Sequence, residues 1–181
     1  MDPNPSQRWD PLLRNLHWIM AALLVAQWIG GKVGHEMDAS PAKIDVMLTH
    51  KSTGIVILLL ALLRLGWRLY RGAPGPVPGL ARWQHLAARA GHGALYLLMI
   101  ALPLTGWLYN SAKGRALELY WTLPWPAIAP RNEALEHWAE EAHEVLATLF
   151  ALVLAAHVLA ALWHHFVRRD DTLRRMARRG S

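Results

Sequence analysis

The 181-residue sequence contains no cysteine. That absence excludes Cys-ligated iron–sulfur clusters, Cys₄ and Cys₂His₂ zinc sites, disulfides and covalent c-type haem. Any metal must be held by histidine or carboxylate. Charge is also scarce. Only 18% of residues are Asp, Glu, Lys or Arg, against 54% hydrophobic, whereas a soluble domain carries about 25% charged residues. No charged residue lies between Arg14 and Lys32, between Arg89 and Lys113, or between Glu144 and Arg168. Histidine and tryptophan are abundant instead, with ten of each.

Crossing a bilayer takes about 20 apolar residues, so these three runs are candidate spans. A fourth is shorter: Lys51 and Arg64 enclose 12 residues, STGIVILLLALL. Extended from Leu48 to Trp67 it reaches 20 residues, roughly 30 Å of helix. Arg64 then sits inside the span and must face protein rather than lipid. The sequence therefore predicts an all-α, four-helix transmembrane bundle, a single integral membrane domain over residues 1–181. Its spans are about 14–32, 48–67, 90–111 and 143–167. GGKVGHEMDASPAK, RGAPGPVPGL and KGRALELYWTLPWPAIAPRNE are expected as connections, rich in turn formers. The tryptophans of the last suit the headgroup region. Pro103 is expected to kink span three. The first span lacks a small-residue cleavage site and is expected to be retained.

The net charge of +6 is not a nucleic-acid signature, because the basic residues flank apolar runs. Arg8, Arg14, Arg64, Arg68, Arg71, Arg82, Arg89, Arg168, Arg169, Arg174, Arg175, Arg178 and Arg179 fall on one side. Lys32, Lys43, Lys51, Lys113, Arg115 and Arg131 fall on the other. With nine acidic residues outside and four inside, the sides carry −3 and +9. The positive-inside rule puts both termini in the cytoplasm.

His17, His50, His92, His143, His157 and His164 lie within or at the edges of spans. Histidine is costly in hydrocarbon and marks a functional site by default. His157 follows His143 by 14 residues, ~21 Å and nearly four turns of helix. The two imidazoles thus share one face at two depths, as two stacked haems require. His50 begins span two at the outer side and pairs with His143. His17 begins span one at the inner side and pairs with His157. Two imidazoles on one b-type haem leave iron no open position, which suits an electron carrier. Depth leaves His164 and His92 as alternatives to His157 for the inner ligand. With His157 as ligand, His164 lies near the inner surface, where a quinone carbonyl needs a hydrogen-bond donor. Arg64 is a candidate partner for a haem propionate, and Arg68 a weaker one.

The pieces R-N-L-H-W, L-T-H-K-S-T-G, G-H-G-A-L-Y-L-L-M-I-A-L-P, H-E-V-L-A-T-L-F-A-L-V-L-A-A-H and H-H-F-V-R-R-D-D-T-L-R-R-M cover nearly the whole chain. Together they resemble the bacterial cytochrome b561 family, small di-haem cytochromes of the inner membrane that are linked to quinones. The resemblance implies two haem b groups, with His17, His50, His143 and His157 as axial ligands. It also implies a superoxide oxidase activity, in which periplasmic superoxide is oxidised and ubiquinone reduced. The six outer cations would attract a small anion. Glu133, Glu136, Glu140, Glu141 and Glu144 beside His143 oppose them. The competing reading is a non-catalytic subunit linking the quinone pool to a partner dehydrogenase, hydrogenase or soluble cytochrome. A haem-free transporter is poorly supported, since no span carries an Asp or Glu relay.

Overall fold

The computed structural model describes residues 8–75, 77 and 79–177. Arg178 and Arg179, counted above among the inner cations, lie outside the described residues, as do Pro76 and Pro78 of the second connection. Four helices are long and apolar enough to cross a membrane. They are α1 (Pro11–Glu36), α2 (Pro41–Arg71), α3 (Arg82–Ala112) and α4 (Glu133–Trp163). A π-helical turn, His164–Arg168, continues α4. One two-stranded hairpin, β1 (Leu117–Leu119) and β2 (Leu123–Trp125), sits in the connection between α3 and α4.

The helices overrun the expected spans, because charge ends an apolar run without breaking the hydrogen-bond ladder. α1 continues through the GGKVGHE stretch expected as loop, leaving only residues 37–40 before α2. The stop lies in the capping residues. Ser40 accepts the Lys43 amide at 3.2 Å, and Pro41 opens α2 at the position where its missing N–H costs nothing. Asp10 caps α1 in the same way, accepting from Leu12 N at 2.9 Å, ahead of Pro11. Asn132 caps α4 through Leu135 N at 2.9 Å, so the acidic stretch from Glu133 is a helical extension. α2 ends at Gly72, whose φ of 77° needs glycine. α3 runs unbroken through Pro103.

Close backbone packing joins α1 to α2, α2 to α3 and α3 to α4. Among the described residues α4 has almost no close backbone approach to α1 or α2. A layer of Met20, Ala61, Leu95, Tyr96, Leu98, Met99 and Phe150 fills the middle of the bundle. Phe150 stands midway along α4 between His143 and His157. The outward leucines, among them Leu59, Leu62, Leu97, Leu152 and Leu159, remain exposed, as a lipid-facing surface demands.

The hairpin covers the end of the bundle where α1 meets α2. It packs on α2 and buries Leu117 and Leu119 with Ile55. Its turn holds Tyr120 and Trp121 at φ 47° and 61°, a left-handed geometry unfavourable for bulky residues. Two contacts with α2 hold it there. Ser52 Oγ accepts the Tyr120 amide at 2.9 Å, and the Tyr120 hydroxyl meets Thr53 Oγ1 at 3.0 Å. At the opposite end the tail folds back under the bundle. The Trp18 indole donates to Met176 O at 2.8 Å, and Arg175 donates to Gly75 O at 2.7 Å.

Candidate functional site

Two histidine pairs bridge the gaps that α4 leaves. At the hairpin end, His50 of α2 and His143 of α4 stand with ring centres 6.3 Å apart and planes at 81°. At the other end, His17 of α1 and His157 of α4 stand 6.2 Å apart at 71°. The structure thus brings together the residues expected to pair from the His143–His157 spacing and from the places of His50 and His17 in their spans, and each pair joins α4 to a helix it scarcely packs against. All four rings are at least partly buried.

The surroundings fix the two rings at the hairpin end. His50 Nδ1 lies 3.2 Å from Gln27 O, and His143 Nδ1 lies 3.0 Å from Leu102 O. A carbonyl can only accept, so each Nδ1 carries the proton and each Nε2 keeps its lone pair. That is the tautomer a metal-ligating histidine needs, oriented by a backbone acceptor. Gln27 is held in turn, its Nε2 donating to His50 O at 2.7 Å. Thr105 Oγ1 adds a contact of 3.2 Å to His143 Nδ1.

Glycine lets the neighbouring helices approach these rings. A Cβ on Gly31 would meet His50 Cε1 at 2.8 Å. A Cβ on Gly106 would meet His143 Cε1 at 3.1 Å. Gly54 faces Gln27 Nε2, 3.4 Å from where its Cβ would be.

The end opposite the hairpin gathers more groups. His92 of α3 stands 5.4 Å from His157, with its Nδ1 donating to Ala88 O at 2.6 Å. Arg64 donates from Nη1 to the Tyr96 hydroxyl at 2.6 Å, while its buried Nε has no partner among the described residues. It faces protein, as a cation inside a span must. Arg68 lies over both the Trp9 and Tyr96 rings. His164 belongs to a separate group. Its Nδ1 lies 2.6 Å from Asp170 Oδ2, at the start of the π-helical turn.

At the hairpin end, Lys51 donates to Asn110 Oδ1 at 2.9 Å and lies within electrostatic reach of Arg115 and Lys113. The acidic start of α4 is partly matched, with Glu136 2.8 Å from Lys113 Nζ and Glu140 accepting from the Tyr109 hydroxyl at 2.7 Å. Lys113 is held above its ordinary range by the bonds to Glu136 and Tyr109. Sequence reasoning missed Gln27, Gly31, Gly106, Thr105 and the hairpin contacts, none of which has a pattern of its own.

A model of the prokaryotic cytochrome b561 family matches residues 8–179. Cytochrome b561 homolog 2 of Escherichia coli is 37% identical over 181 residues, covering 98% of this chain and 95% of its own length. Cytochrome b561 homolog 1 of the same organism is 30% identical, with 89% and 92% covered. The probable superoxide oxidase CybB of Yersinia pestis is 31% identical, with 94% and 96% covered. With four spanning helices, these similarities identify a multi-pass protein of the bacterial inner membrane. The chain belongs to the prokaryotic cytochrome b561 family, whose members use b-type haem for membrane electron transfer.

Proposed function

We propose that the protein carries electrons across the inner membrane through two haem b groups, oxidising periplasmic superoxide and reducing ubiquinone. The carrying observation is the pair of histidine couples at two depths of α4. A metal ion bonded to two imidazole nitrogens at about 2 Å each holds the ring centres about 6 Å apart. The separations of 6.3 and 6.2 Å fit that requirement. The 5.4 Å between His92 and His157 is 0.8 Å shorter than the 6.2 Å between His17 and His157, which favours His17 as the inner partner. A b-type haem with two imidazole ligands supplies one-electron carriage at an iron closed to oxygen.

The chain's residues supply the rest. His50 and His143 are the outer ligands, and His17 and His157 the inner ones. Arg64 presents its unpartnered Nε, an unmet need that a propionate carboxylate answers. Lys51, Arg115 and Lys113 form a local positive field beside His50, suited to a small anion. The Lys113–Glu136 pair moderates the acidic helix beside it. His164, near the inner surface, is the candidate donor to a quinone carbonyl. Both termini are cytoplasmic and the single domain spans the chain.

The test is superoxide-dependent reduction of ubiquinone by the purified protein alone in detergent. Activity without any second polypeptide supports the reading. A strict requirement for a partner protein overturns it in favour of an electron-transfer subunit. One observation favours that second reading: Glu133 and Glu141 are exposed on the outer extension of α4, a surface suited to a basic partner.

A further inference from the structure

We propose that Asp170 and His164 form a proton-delivery pair for quinone reduction, with Asp170 as the positioning residue. This rests on the assignment of His164 to the quinone site. The observation is local and built from seven consecutive residues, H-H-F-V-R-R-D. At His164 the helix widens into a π turn, a feature common at functional sites. At Arg169 the backbone adopts the left-handed region, φ 56°, and reverses. The reversal returns Asp170 to the residue that began the turn. Asp170 N donates to His164 O at 3.2 Å, and Asp170 Oδ2 meets His164 Nδ1 at 2.6 Å.

The carboxylate is fixed from its other side as well. Oδ1 accepts the Thr172 amide at 2.9 Å, and Arg168 Nε stands 3.7 Å from Oδ2. Burial pushes the Asp170 carboxyl up, but bonds from Thr172 and His164 outweigh it and hold it below its usual value. Both side chains are only 15% exposed, shielded yet within reach of inner water. Arg168 is occupied elsewhere too, donating to Gly79 O at 3.1 Å and lying over the Trp163 ring.

An ionised carboxylate on Nδ1 does two things to an imidazole. It fixes the proton on Nδ1, which leaves Nε2 as the exchanging position. It also stabilises the positive ring that forms when Nε2 takes a second proton. Ubiquinone needs two electrons and two protons to become ubiquinol. The electrons originate as two one-electron donations at the outer face. For each proton, the His164 Nε2–H bond breaks as the ubiquinol O–H bond forms, and the ring recovers a proton from inner water. Asp170 stays ionised throughout.

The experiment follows haem oxidation in pre-reduced protein mixed with ubiquinone-1, in H₂O and D₂O. Positioned proton transfer contributes about 10²–10⁴ in rate. Asp170→Asn is expected to slow oxidation at least tenfold, with ubiquinone-1 binding by equilibrium dialysis changed less than twofold. Asp170→Glu is expected to restore most of the rate. Normal oxidation in Asp170→Asn, with His164→Ala slowed, overturns the pair and leaves the quinone site standing. Normal oxidation in His164→Ala overturns both. Should Asp170→Asn not fold, the solvent isotope effect in the wild-type protein and in His164→Ala decides. A solvent isotope effect lost in His164→Ala supports the pair, and no isotope effect overturns it.

Discussion

Replacing Gly31 by alanine is expected to cost the protein one haem while leaving its fold intact. The new Cβ would sit 2.8 Å from His50 Cε1, about 0.6 Å inside the 3.4 Å at which ordinary contact begins. The ring cannot swing freely away, because its Nδ1 is tied to Gln27 O at 3.2 Å. Moving it breaks that bond, about 1 kcal/mol, or forces an off-rotamer angle, about 0.5–1.5 kcal/mol. Alanine in a helix interior returns about 0.8–1 kcal/mol relative to glycine. These nearly cancel, so stability is a poor readout. Ligation is a sensitive one, since metal–ligand distances tolerate only about ±0.2 Å. Gly30→Ala is the control, because nothing lies within 4 Å of its Cβ. The assay is haem per chain by pyridine haemochrome, with the thermal midpoint alongside. Gly31→Ala is expected to fall from two haems to one, and Gly30→Ala to keep two. Two haems in Gly31→Ala, with unchanged spectra, would refute the assignment of His50.

Other outcomes follow from the same geometry. His143→Ala is expected to lose the outer haem and His157→Ala the inner one, and retention of both in either variant contradicts the pairing. Arg64→Met removes the inner counter-charge and is expected to lower the inner midpoint potential, measured by redox titration, without changing haem content. Ser52→Ala leaves the Tyr120 amide without its acceptor and is expected to loosen the hairpin by about 1 kcal/mol, seen as faster hydrogen exchange over β1 and β2. Asp170 titrates below its unfolded value of 3.8. Its contribution is therefore fully present above that pH and is lost as pH falls through the lower folded value. Limited proteolysis of the inner tail is expected to stay slow at pH 5 and to accelerate below 3.8.

Three helices were readable as long uncharged runs and α2 only by extending a 12-residue run past Lys51 and Arg64, while the shared face of His143 and His157 was readable because 14 residues complete nearly four turns. Arg64 was readable as protein-facing from its place inside an apolar span. Helix ends were less readable. α1 was expected to stop near Lys32 yet runs to Glu36, since Gly30, Gly31 and Gly34 resemble turn formers. At Gly31 and Gly34 glycine instead admits His50 and Met47. Likewise α4 begins at Glu133 because Asn132 caps it, ten residues before the apolar run. The hairpin was hidden because its turn uses Tyr120 and Trp121 where a sequence signal would be Asn-Gly. Gln27 and Leu102 act through backbone carbonyls, which every residue possesses, so only the fold reveals them. Asp170 lay in a recognisable H-H-F-V-R-R-D segment, but its contact depends on a π turn and one left-handed residue.

The most direct measurement is haem per chain in the detergent-purified protein, with the reduced-minus-oxidised spectrum. Two b-type haems with low-spin bands are expected, one for each histidine pair. One haem, or none after expression with haem supplied, would contradict two stacked ligand pairs on α4.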